Sequence, residues 1–291
     1  MTIWGWCLTP AFYAIGFERA YRGIKMKKFA LALTAVAALT GSAMAADMAP
    51  RTYSKAPAPM AVAPSWTGFY IFGGAGGGIW DADNYSVATA TGLPTTLTQR
   101  FGGDGWYGTV GAGYDWQFNS SWVAGIFADG QFGSLKGTIS DALCNCSGTE
   151  KLKNSYAAGV RLGYLVAPNV LSYVNGGYSG SSWSGSTALA NSNSLAGPIG
   201  TAVFTTPSFT RNGFFVGGGV ENNLNIFGIS SPGWFMKTEY RAAYYGRVTL
   251  AETFVGGGLT PDVTTFKPLV QTISTSLVYR FNWTGPVVAK Y

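Results

Sequence analysis

The chain contains no histidine. That rules out any Ser-His or Asp-His dyad, so a general base would have to be a carboxylate with a shifted pKa. Charge is scarce too, at 11% of the residues. Cysteine is limited to three positions, Cys7, Cys144 and Cys146. The last two stand close together in "LCNCSG", but two thiolates without a histidine or a further cysteine fall short of a four-ligand metal set, so no metal site is expected. In an oxidising compartment an exposed Cys144–Cys146 disulfide is the plainer expectation. No segment offers the 18 or so consecutive apolar residues that a membrane-spanning helix requires. The glycine runs Gly73–Gly78 and Gly217–Gly219 lack the Lys-Ser/Thr that completes a phosphate loop. Glycine there fits bending strands and room for large inward side chains.

What the chain does have is 47% apolar residues, 15% aromatics and 41 glycines in 291 residues. From Met26 the stretch "MKKFALALTAVAALTGSAMA" has two lysines, an apolar run and then Ala43-Met44-Ala45. This is the layout of a secretory signal peptide over residues 26–45, with cleavage expected between Ala45 and Ala46. Residues 1–25 then read as an extension upstream of the working start at Met26. Removing residues 1–45 takes away five bases and one acid and lowers the net charge from +6 to +2. No concentrated basic patch remains to support nucleic-acid binding. Residues 46–65 carry Pro50, Pro57, Pro59 and Pro64 among alanines and read as an extended tether.

From Trp66 to Trp283 the patterning changes to period two. In "WYGTVGAGYDWQF", Trp106, Val110, Ala112, Tyr114, Trp116 and Phe118 share one parity, and Tyr107, Thr109, Gly111, Gly113, Asp115 and Gln117 share the other. Eight strands are expected, near 66–80, 104–118, 121–135, 152–167, 169–183, 210–224, 233–245 and 268–283. Long polar connections over 81–103, 136–151, 184–209 and 246–267 alternate with tight turns at Asn119-Ser120 and Pro168 and a longer turn near 225–232. An even strand number with long loops at one end indicates an all-β, eight-stranded antiparallel transmembrane β-barrel over 66–283, followed by a tail at 284–291. In "FMKTEYRAA" the outward parity, Met236, Thr238, Tyr240 and Ala242, would then meet lipid, and Lys237, Glu239 and Arg241 would point into a polar lumen. Asp129, Arg161, Glu221 and Arg280 share that inward parity and complete an expected lumen charge network. Trp106, Trp116, Trp122, Trp234, Tyr240 and Phe281 suit interfacial aromatic girdles. A lipocalin-like soluble barrel would reverse the polarity of the two faces.

The stretches "AADMAPRTYSKAPAPM", "WTGFYIFGGAGGG", "GVRLGYLVAPN", "GGGVENNL", "MKTEYRAAYYG" and "YRFNWTGPVVAKY" together resemble the small outer-membrane surface-antigen and "porin family" barrels of rhizobial-type alphaproteobacteria. These group with the OmpA-like eight-stranded barrels. The resemblance implies a Gram-negative outer-membrane protein with both termini periplasmic, inserted by the barrel assembly machinery, and in contact with outer-membrane lipid and lipopolysaccharide. It implies no cofactor and no single agreed activity. With ten residues after Phe281, no peptidoglycan-binding domain is expected to follow the barrel. The expected role is non-enzymatic, an envelope-supporting barrel whose four surface loops meet host or surface ligands. The alternative is a small diffusion channel, which the expected strand number argues against because about eight strands leave an interior that side chains fill.

Overall fold

A computed structural model describes residues 65–141, 143–193, 197–229 and 231–281. The expected extension, leader, cleavage point at Ala45 and Ala46, nearly all of the tether, and the C-terminal tail lie outside the described residues. Among the described residues eleven antiparallel strands are present: β1 (Gly68–Ala88), β2 (Gln99–Gln117), β3 (Trp122–Asp141), β4 (Cys146–Ala167), β5 (Val170–Trp183), β6 (Ser186–Ala190), β7 (Ala202–Thr206), β8 (Phe209–Asn223), β9 (Trp234–Tyr245), β10 (Val248–Phe254) and β11 (Leu259–Arg280).

Eight of these form a closed ring in the order β1-β2-β3-β4-β5-β8-β9-β11, shut by β1–β11 pairing from Tyr70↔Arg280 to Ala88↔Asp262. Closure matters because an open sheet edge cannot sit in hydrocarbon with its amides unpaired. The three short strands build a second ring on top of the first. β6 pairs with β4 and β7, and β10 pairs with β7 and β11, so β6, β7 and β10 replace β5, β8 and β9 while the five long strands run through both levels. The breaks fall at Ser184-Gly185, Pro207-Ser208 and Gly246-Arg247. Pro207 has no amide to give a ladder, and strands commonly break or bulge at such a residue.

This corrects the expected strand ends. The stretches expected as long connections are largely strand, and the connections at that end shorten to 89–98, 142–145, 191–201 and 255–258. The physical reason is that a wall wetted on its outside needs no apolar parity, so pairing continues where the alternating signal has faded. The opposite end has the expected short turns, 118–121 and 168–169, and a longer one, 224–233, containing a single 3-10 turn at Leu224–Phe227.

The outer face carries two belts of exposed aromatics. Trp106 and Trp116 on β2, Trp122 and Phe132 on β3, and Trp234 and Tyr244 on β9 are each ten residues apart. Ten residues make about 34 Å of strand, or about 25 Å along the axis of a barrel whose strands tilt by about 40°. Between the belts the exposed side chains include Val110, Ile126, Val160, Val174 and Val216. Tyr240 departs from the expectation: it lies between the belts, and its hydroxyl donates to Gln271 Oε1 at 2.7 Å.

Candidate functional site

The inward parity of β9 is buried at Phe235, Lys237, Glu239, Arg241, Ala243 and Tyr245. Its pairings put Glu221 of β8 opposite Lys237 and Gly219 opposite Glu239. Two ion clusters result. At mid-height Arg241 holds Asp129 through two hydrogen bonds, at 2.9 and 2.6 Å, and reaches Glu239 Oε1 at 2.8 Å. Lys237 Nζ lies 3.7 Å from Glu239 Oε2, which also accepts the Tyr173 hydroxyl at 2.8 Å. Nearer the short-turn end, Arg161 makes a bidentate pair with Asp115 and donates to Glu221 Oε2 at 3.0 Å. Arg280 bridges the same acids, with Nη2 2.7 Å from Glu221 Oε1 and 2.8 Å from Asp115 Oδ2.

Each cluster holds two acids and two bases, so each is neutral. Neutrality is what the surroundings demand, since a buried charge left alone costs several kcal/mol, whereas a paired and hydrogen-bonded one recovers most of that. The cations also lie over ring faces. Lys237 Nζ is 3.3 Å from the Phe72 centroid, and the guanidinium carbons of Arg241, Arg161 and Arg280 stand 4.5, 4.4 and 4.4 Å from the rings of Phe215, Tyr70 and Trp66.

All seven residues expected in the lumen therefore lie in these two clusters. Asp115 was missing from that set, although its signal was present: it stands on the small and polar parity of β2. The aromatics were missed as well. Tyr70, Phe72, Phe127, Tyr173 and Phe215 all point inward, so the interior is aromatic as well as polar. Inward glycines make the space: a Cβ on Gly217 would lie 2.6 Å from Asn175 Oδ1.

Above the clusters, four rings from four strands meet across the barrel. Trp80 packs on Trp183 and Phe266 with centroids 5.5 and 5.6 Å apart, and Trp183 packs on Phe209 at 5.9 Å. Both indole N–H groups are satisfied, by Leu135 O and Ser181 Oγ. These rings form a plug between the two levels.

Cys144 and Cys146 are joined as a disulfide with Cα atoms 5.2 Å apart. They sit in the tight β3–β4 hairpin rather than on a long loop, and Cys146 is fully buried at the start of β4. Asn145 between them takes the left-handed conformation, at φ 47°.

A closed antiparallel ring that is apolar outside between two aromatic belts and charged within is a transmembrane β-barrel of the outer-membrane type. The chain belongs to the outer membrane protein beta-barrel domain family, whose model matches residues 31–281. It is 30% identical over 235 residues to the 31 kDa outer-membrane immunogenic protein of Brucella melitensis, covering 78% of this chain and 90% of that one. The protein of the same name from Brucella suis matches equally. Among solved structures it is similar to the outer membrane protein OprG from Pseudomonas aeruginosa, with a TM-score of 0.47, 10% identity, and coverage of 74% of this chain and 97% of that one. The protein is thus a Gram-negative outer-membrane barrel related to outer-membrane immunogenic proteins.

Proposed function

We propose that the protein is a non-enzymatic, non-conducting barrel that braces the outer membrane and presents a rigid extension at the cell surface. The observation that carries this reading is the filled interior: two neutral ion clusters capped by the Trp80–Trp183–Phe266–Phe209 plug. The chain also lacks the histidine that a Ser-His or Asp-His mechanism needs. In this reading the short-turn end and both chain termini are periplasmic, insertion is by the barrel assembly machinery, and the hairpins of the upper ring meet surface ligands. Lipopolysaccharide is the nearest partner. Lys136, Lys151 and Lys153 lie on β3 and β4 just beyond Phe132 and Tyr156 of the upper belt, where lipid phosphates would sit.

The test is conductance of purified protein in planar bilayers. Little or no steady current is expected. A stable ohmic channel would overturn the reading and favour a small diffusion pore. On whole cells, protease should cut first within 89–98 and 191–201, which are the longest connections at the upper end. Cleavage at 118–121 in intact cells would reverse the orientation.

A further inference from the structure

The upper ring encloses a cavity of about 20 Å³, room for one water-sized occupant. Seven strands bring oxygen-bearing side chains to it: Asn84 of β1, Ser140 and Asp141 of β3, Ser147 of β4, Ser186 of β6, Thr206 of β7, Glu252 of β10 and Thr264 of β11. No basic side chain lines it. Glu252 is only 4% exposed and, like Asp141, makes no ion pair among the described residues. Asp141 accepts from its own hairpin at Leu143 N and, at 3.4 Å, from Ser86 Oγ. Independently of the acids, Ser186 Oγ is buried on this cavity without a hydrogen-bond partner. A buried hydroxyl is rarely left unsatisfied unless something absent from the protein chain completes it.

We propose that this cavity binds one calcium ion, held between the carboxylates of Asp141 and Glu252, with the side-chain oxygens of Asn84, Ser186, Thr206 and Thr264 filling out the shell. Calcium suits the site because it accepts an irregular set of six to eight oxygens, whereas magnesium demands a compact octahedron. Only two carboxylates line the cavity, and no group of three acids among the described residues is arranged to hold a metal, so the site belongs to the weak extracellular class, with Kd of about 10⁻⁴ to 10⁻³ M. That strength fits a surface protein exposed to abundant calcium. The bound ion would tie β3 to β10 across the upper ring and so stiffen the end that faces outward.

The proposal does not depend on whether the lower lumen conducts, and its test reads calcium directly. Full-length protein, free of lipopolysaccharide and folded in zwitterionic detergent, is stripped with EDTA and titrated with CaCl₂ by calorimetry at pH 8.0. One saturable site is expected. It should be at least tenfold weaker in both Glu252→Gln and Asp141→Asn, and unchanged in Asp104→Asn, whose side chain is exposed on the outer wall. The melting temperature should rise with calcium in the parent and not in the two cavity variants. Should one cavity variant fail to fold, the other decides. No binding to the parent protein, or wild-type affinity in a folded cavity variant, would overturn the proposal, and the latter would place calcium elsewhere.

Discussion

Below the aromatic plug the barrel holds four acids and four bases in contact, whereas above it Asp141, Glu150 and Glu252 face the interior with no ion pair among the described residues. The difference follows from what lies outside the wall. Between the belts the exterior is hydrocarbon and water is remote, so each charge needs a counter-charge supplied by the chain itself. Above the upper belt the wall is wetted, and an acid there can exchange protons or small ions with the medium. The lower half is therefore built as a fixed, self-neutralising core, and the upper half as a chamber whose charge depends on its surroundings.

The largest test of this contrast is Glu239→Ala. It removes the acid shared by Lys237, Arg241 and Tyr173 and leaves two bases with Asp129 alone. A loss of about 3 to 5 kcal/mol is expected, read as a lower melting temperature in detergent. An unchanged melting temperature would mean that the lower cluster is wet enough to dispense with its own counter-charge, and the contrast would collapse.

The two halves should also answer pH differently. Burial raises Glu150 to about 8 and Glu252 likewise, from an ordinary value near 4.5. A carboxyl raised on folding holds its proton in the native state while the unfolded chain has already lost it. Its favourable contribution is intact below about pH 4.5 and is lost as pH climbs toward 8, at up to about 1.4 kcal/mol per pH unit for each group. In EDTA the upper ring should therefore loosen between pH 5 and 8. Glu150→Gln should flatten that slope, measured as protease nicking of β10–β11 against pH. A variant as pH-sensitive as the parent would remove Glu150 from the account.

These halves were unequally legible in the sequence. The alternation Lys237-Thr238-Glu239-Tyr240-Arg241 could be read because two solvents, lipid and lumen, impose opposite demands on successive residues. Above the belt the outer face is wetted and the inward face mixes acids with apolar side chains such as Ala188, Phe204, Val248 and Leu250, so the segments holding Glu150 and Glu252 read as loops although β4 and β10 pair there. The plug was hidden for another reason. Trp80 and Trp183 stood at the ends of expected strands, where an aromatic reads as an interface anchor, and only the continuation of β1 to Ala88 places Trp80 inside. Phe127 and Phe215 share the inward parity with charges, but which cation would stack on which ring depends on barrel register, which single-strand patterns do not contain.

A smaller effect probes how tightly the lower half is filled. A Cβ added at Gly111 would collide with the Phe72 ring and come within 2.8 Å of Asp129 Cβ. Phe72 carries Lys237 on its face and Asp129 is held by Arg241, so neither can yield freely. Gly111→Ala should cost about 1 to 3 kcal/mol, the usual range for overpacking. At Gly92, in the 89–98 connection, a Cβ meets nothing within 4 Å but the backbone is left-handed at φ 69°, so an alanine there tests strain without crowding. Its cost should be about 1 kcal/mol. Equal losses at the two positions would deny the lower lumen its close packing.

The smallest expected change in stability is on the outer wall. Lys136 and Lys151 are paired across β3 and β4, and Lys153 follows at a register shift between Leu152 and Asn154, so three ammonium groups gather just above the belt. None of them makes an ion pair among the described residues. Replacing all three with serine removes like-charge repulsion and little packing, and the melting temperature should move by the equivalent of no more than about 0.5 kcal/mol per site. Lipid binding should change far more, because each lysine near an anionic surface contributes about 1 kcal/mol, so the triple variant should bind lipopolysaccharide about a hundredfold less tightly and retain correspondingly less. The measurement is lipopolysaccharide co-purified per barrel at fixed salt, with Asp104→Asn as the comparison. Retention that survives the triple substitution would move the lipid contact off this patch. The outer wall would then join the lower lumen as a surface whose charges serve the protein alone.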